Sequence, residues 1–157
     1  MAYLAPSEFV PKLIEAGESK IMMSTKDTLI RAFMAGAILA LAAAFAVTIN
    51  VQTGQPLAGA VLFPVGFCLL YLLGYDLLTG VFVLAPLAVW AKRPGCTWGG
   101  VLRNWGLVFV GNFAGALTTA VMMAIYWTFG FAAEVDPVGQ AMAITGEKRT
   151  LGYAAYG

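Results

Sequence analysis

From Ala32 to Ala91 a single side chain, Asp76, carries a carboxylate or a basic group. A stretch that long with one charge cannot form a water-facing surface, since soluble domains carry about 25% charged residues. Over its 157 residues the chain is 61% hydrophobic and 11% charged, with 18 glycines. Glycine is commoner in transmembrane helices than in soluble ones, so the composition and the charge pattern agree. This is a chain built for lipid.

The apolar sequence falls into three parts. A first span runs from about Thr28 to Ile49 and ends at a turn containing Asn50, Gln52, Thr53, Gly54 and Pro56. About 20 apolar residues cross a 30 Å hydrocarbon core, and Arg31 near the start can snorkel to the headgroups. The second stretch, Leu57 to Ala91, has 35 residues. As a straight helix it would be about 52 Å long, too long for one crossing and too short for two joined by a turn. Its centre reads Leu73-Gly74-Tyr75-Asp76-Leu77-Leu78-Thr79-Gly80. A broken helix fits, with one half before Gly74, an unwound section, and a second half after Gly80. Lys92, Arg93 and Arg103 mark a charged loop, and a third span runs from about Asn104 to Phe131. The expected fold is an all-α membrane protein of three transmembrane helices, the second broken at mid-membrane.

Three regions follow. Residues 1–27 form a leader whose Phe9, Val10, Leu13, Ile14, Ile21 and Met22 trace one apolar stripe, with Ser7 as N-cap. It is expected to be an amphipathic helix on the cytoplasmic membrane surface or against other subunits. Residues 28–146 hold the three spans and an outer polar loop with Glu134, Asp136, Pro137 and Gly139. Residues 147–157 begin another apolar segment, so the chain is expected to be a partial sequence unable to conduct alone. No cleavable secretory signal is visible, because the first apolar run begins only near Leu29. Lys12, Lys20, Lys26 and Arg31 precede the first span, and Lys92, Arg93 and Arg103 separate the second from the third. Basic loops stay inside, which puts the N-terminus in the cytoplasm.

The break carries the chemistry. Unwound backbone at membrane depth is tolerated only where it is buried in protein or lines a wet cavity. The start of the second half-helix leaves N–H groups unpaired at a positive end, the device broken transporter helices use to hold anions. Thr79 adds a hydroxyl donor. The Asp76 carboxylate is expected to accept hydrogen bonds from the loop N–H groups and, with Gly74 and Gly80, to hold the loop shape. For Gly111 and Gly115, a small-xxx-small pair, close helix packing is the default, and Asn104 and Asn112 suit interhelical hydrogen bonds. An i, i+4 aromatic pair such as Phe63 and Phe67 is more often packing than function. With no histidine, two cysteines without metal-like spacing and one buried acid, neither catalysis nor a metal or cofactor is expected.

The motifs around the break are recognisable. Gly74-Tyr75-Asp76-Leu77-Leu78-Thr79-Gly80 resembles the loop signature of the formate/nitrite transporter family. Asn104-Trp105 with Gly111-Asn112-Phe113-Ala114-Gly115 resembles the family's third helix, Thr97-Trp98-Gly99 its preceding loop, and Glu147-Lys148-Arg149-Thr150-Leu151 the opening of its fourth. The resemblance implies half of a six-helix inverted-repeat channel of aquaporin-like plan, assembled as a pentamer in a bacterial inner membrane. It implies passage of small monovalent anions, nitrite and formate, and no nucleic-acid partner. Carried over by position, Phe63 and Phe67 would form the cytoplasmic constriction, with Leu77 and its neighbour Leu78 at the second. Thr79 would touch the anion, and Lys148 would draw anions into the outer vestibule. Phe67, Leu78 and Tyr75 depart from the family's commoner leucine, phenylalanine and small residue. The alternative is a non-transporting membrane scaffold or subunit, in which the glycines serve packing alone.

Overall fold

A computed structural model describes residues 5–131 and 134–144. Among them the chain is all helix, with no strand. Helix α1 covers Pro6–Met22, α2 Thr25–Thr53, α3 Pro56–Leu62, α4 Val65–Leu72, α5 Leu78–Trp90 and α6 Trp98–Trp127. Two of these, α2 and α6, are long and apolar enough to cross a membrane, with mean hydropathy 2.3 and 1.8 in their best windows. At 29 and 30 residues each measures roughly 45 Å.

Local chemistry explains where these helices start and stop. Ser24 caps α2: its hydroxyl accepts from the Asp27 N–H at 3.1 Å and donates to the Asp27 carboxylate at 2.7 Å, a close relative of the capping box. Gly54, at φ +67°, ends the same helix in the left-handed region, where a side chain would be strained. Thr97 caps α6 by accepting from the Gly100 N–H at 3.2 Å. Helix α1 has no side-chain cap at Ala5; the expected role for Ser7 is not taken up, because the helix already begins at Pro6. Proline suits a first turn, having no N–H to leave unpaired.

The packing centres on α2 and α6, the most extensive pairing in the chain. Small residues let their backbones meet. A Cβ on Gly36 would fall 2.0 Å from the Asn112 carbonyl oxygen, and one on Gly115 would fall 1.9 Å from the Phe33 carbonyl oxygen. Helix α1 does not lie free: Gly17 rests on the Leu84 backbone, and Ile21 is buried with Ala85, Ala88 and Val101. Its stripe is therefore used against α5 and α6 of its own chain, although Phe9 and Val10 remain exposed. Arg93 adds a 3.4 Å ion pair with Glu18 at the same end.

Two features differ from the sequence reading. Residues 137–144, read as part of a polar loop, form a short helix. Asp136 starts it by accepting from the Val138 N–H at 2.8 Å, and Val138 buries itself with Ala44 and Trp127. The apolar run also breaks twice rather than once. Phe63 and Pro64 interrupt it between α3 and α4, since proline has no N–H for the ladder and crowds the preceding turn.

Candidate functional site at the helix break

The principal break spans residues 73–77. Helix α4 ends in a Schellman motif: Gly74 sits at φ +70°, its N–H donates to the Tyr71 carbonyl at 3.2 Å, and the Tyr75 N–H donates to the Leu70 carbonyl at 2.9 Å. Helix α5 resumes at Leu78, so Thr79 and Gly80, expected in or beside the unwound section, occupy its first turn. The Gly80 and Val81 N–H groups both return to the Leu77 carbonyl. No side chain of the loop caps this helix.

Asn112 does that work from α6. Its Oδ1 accepts the Leu78 N–H at 3.0 Å, while its Nδ2 donates to the Asp76 carbonyl at 2.9 Å and the Ala32 carbonyl at 2.8 Å. One amide thus ties together α2, the unwound loop and the start of α5. Buried backbone groups must be paired somewhere, and here an asparagine replaces the missing helical ladder. The Thr79 N–H is left without a protein partner among the described residues, and the Thr79 side chain is exposed.

Asp76 is 2% exposed, and its carboxylate pairs with the Lys20 ammonium of α1 rather than with loop N–H groups. The expectation that it binds those N–H groups is corrected: its Oδ1 is taken by Lys20, and the Gly74, Tyr75 and Leu78 N–H groups bond to the Tyr71 and Leu70 carbonyls and to Asn112 instead. A buried carboxylate inside an apolar bundle needs a counter-charge, and Lys20 reaches it because α1 packs across α5. Asn104, 1% exposed, fixes that lysine by donating from Nδ2 to the Lys20 carbonyl at 3.0 Å. Asp76 Oδ2 and Asn104 Oδ1 are buried with no protein partner among the described residues. Arg31 completes the cluster, its Nη1 donating to the Gly74 carbonyl at 3.3 Å.

The remaining sequence-selected residues divide by depth. Gly111 packs against Ala32 and Gly115 against Phe33, both in the α2–α6 contact. Leu77 and Leu78 are half-buried at the break, beside Thr79. Phe63 and Phe67 stack edge to face at 5.6 Å between ring centres, but they stand apart from the break. Gly66 lies on Ala42 and Gly59 on Ala46 and Asn50, whereas the break lies beside Arg31 and Ala32. That separates Phe63 from the break by roughly 18 Å along α2. The Phe63–Phe67 pair therefore lies toward the C-terminal half of α2 and Leu77 toward its N-terminal half. The break is also off-centre along α2, about midway between its N-terminal end and its middle. Lys148 lies outside the described residues.

Lys20, Arg31 and the role of Asn112 at the loop were not read from sequence. A lone acid in a long apolar run does demand a cation, and Lys20 and Arg31 were among the few basic residues nearby. Comparison with known proteins shows the family. Uncharacterized transporter YrhG of Bacillus subtilis is 33% identical over 76% of the chain and 47% of its own length. Formate channel BtFdhC of Bacillus thuringiensis is 33% identical over 76% of the chain and 48% of its own. Formate channel FocA of Escherichia coli is 32% identical over 76% and 43%. The chain spans about half the length of these curated relatives. Residues 7–155 match the Formate/nitrite transporter family; the chain is a membrane protein belonging to that family, one of channels and transporters and not of enzymes.

Proposed function

We propose that the chain supplies one three-helix unit of a channel for small monovalent anions, formate and nitrite, with residues 73–80 lining the passage. The observation that carries this reading is the break itself. Its backbone is held by side chains from α2 and α6 and its one carboxylate by Lys20 of α1, and the first turn of α5 carries an exposed Thr79. With the N-terminus in the cytoplasm, the separation of the two groups along α2 favours Leu77 and Leu78 as the cytoplasmic constriction and Phe63 and Phe67 as the outer rather than the cytoplasmic one, with Thr79 donating its hydroxyl to the anion between them. Lys148 collects anions at the outer mouth. Three spans leave much apolar surface uncovered, including Tyr71, Leu72 and Tyr126 at 83%, 84% and 70% exposure. Further helices of an inverted-repeat mate and a homo-pentameric assembly in a bacterial inner membrane would cover it. The exposed Trp90–Trp98 pair, 6.0 Å apart, beside Lys92 and Arg93, fits a cytoplasmic headgroup belt.

The test is flux. The whole transport protein, purified and reconstituted in vesicles, should carry formate and nitrite, and Thr79→Val should cut the rate about tenfold without altering its elution or melting. A folded wild-type protein that moves neither anion would overturn the reading.

A further inference from the structure

We propose that Arg31 is the residue that makes the approach to the break electropositive and so biases the passage toward anions. The inference rests on the channel reading above and names the side chain that sets its charge preference.

The argument starts from a charge count at the break. A passage for anions walled by Asp76 would repel its own cargo, but Lys20 pairs with that carboxylate and cancels it. Glu18 and Arg93 cancel each other at the same end. Arg31 is left over. Its natural partner is Asp27, one turn earlier on the same helix face, where an i, i+4 ion pair would form. Asp27 turns away instead and engages Ser24 through both its backbone N–H and its carboxylate. Among the described residues Arg31 meets no carboxylate within 4.0 Å.

The guanidinium does not run back along α2 toward the headgroups either. It reaches forward to the Gly74 carbonyl, at the left-handed residue that opens the break. One of its N–H groups is used there, and the side chain remains exposed. A guanidinium has five N–H donors and cannot be deprotonated in a protein. The result is a permanent positive charge with spare donors, anchored at the edge of the unwound backbone. An ionisable residue within an apolar spanning helix by default marks an ion path, and a cleft lined by one sign of charge raises the local concentration of the opposite ion.

The experiment compares the whole reconstituted protein with Arg31→Lys, Arg31→Gln and Arg31→Glu, measuring formate flux and anion-over-cation selectivity at about 20 mM and about 500 mM salt. Elution volume and melting serve as folding controls. Arg31→Lys should stay within about twofold of wild type. Arg31→Gln should lose about three- to tenfold at low salt, Arg31→Glu more, and both gaps should narrow at high salt. Wild-type flux and selectivity in Arg31→Gln and Arg31→Glu would overturn the assignment. So would equal, salt-independent losses in Arg31→Lys and Arg31→Gln, which would make Arg31 a brace for Gly74 only. Should Arg31→Gln fail to fold, Arg31→Cys with Cys68→Ala and Cys96→Ala can be treated with cationic and with neutral methanethiosulfonates. Flux restored by the cationic reagent alone supports the proposal, and equal flux after either reagent overturns it. A folded wild-type protein that conducts no anion sinks the channel reading itself, whereas normal wild-type flux with normal Arg31→Glu flux sinks this inference only.

Discussion

The α2–α6 pair and the α3–α4–α5 path solve the same problem, satisfying a polar backbone within apolar sequence, by opposite means. In α2 and α6 the hydrogen-bond ladder is internal and complete, so the contact between them can be made of almost nothing: Gly36, Gly111 and Gly115 let carbonyls touch Cα atoms. Along α3–α4–α5 the helix is interrupted at residues 63–64 and 73–77: backbone bonds from Phe63, Gly66 and Cys68 carry the ladder across the first, and the Asn112 side chain replaces it at the second. Asn50 adds an acceptor in the first turn of α3, taking the Gly59 N–H at 3.0 Å. The continuous helices are tied by small residues and the broken path by amides and charges. Position in the bilayer does not decide which rule applies; continuity of the ladder does.

The contrast can be broken from either side. The largest effect belongs to Gly115→Leu. Its Cβ would sit on the Phe33 carbonyl oxygen with no flexible atom able to yield, so α2 and α6 must separate. We expect loss of the folded protein, read as aggregation on size-exclusion chromatography in detergent. Next comes Lys20→Met, which strands the Asp76 carboxylate in a buried site. Removing one partner of a buried pair costs about 3–5 kcal/mol, read from unfolding in mixed detergent, and Lys20→Met with Asp76→Asn should recover a large part of it. A double variant no more stable than Lys20→Met would show that the pair is not coupled. Asn112→Ala removes one acceptor and two donations, leaving buried groups unpaired at about 1–3 kcal/mol each. A loss of about 3 kcal/mol is expected, with faster hydrogen exchange at Leu78 and unchanged exchange in mid-α6. Asn112→Asp should rescue only the Leu78 contact, since a carboxylate has no N–H for the Asp76 and Ala32 carbonyls. The smallest effect concerns Cys96, outside the spans. Burial raises its thiol pKa, Glu18 adds to this, and Arg93 opposes it. With less thiolate at neutral pH, maleimide labelling of Cys96 in a Cys68→Ala background should be slower than for a free thiol and should rise at higher pH.

Sequence reading succeeded where a length argument was available. The run from Leu57 to Ala91 fits neither one crossing nor two, and that arithmetic locates a break whatever its details. It did not locate the ends of the break, because Thr79 and Gly80 read as turn residues while Asn112, 36 residues beyond Asp76, makes Leu78 a viable helix start. Pro64 stood in plain view as a helix breaker, and its cost was overlooked beside the glycines. The partner of Asp76 was hidden for another reason. Lys20 lies 56 residues away on a helix whose stripe suits a lipid surface as well as a protein face, and only the seating of Gly17 on Leu84 decides between them. The place of Phe63 and Phe67 along α2 was beyond sequence as well, since order along a chain that folds back does not give position beside a neighbouring helix.

The division of labour at Asn112 has a consequence for biosynthesis. Translation proceeds from the N-terminus, so α5 and the frayed segment before it leave the ribosome before the amide that will close them exists. Lys20, made earlier, can neutralise Asp76 at once, but the Leu78 N–H and the Asp76 carbonyl must wait for α6. Until then those two groups stay open, so the break is closed from behind, by the arrival of the helix that follows.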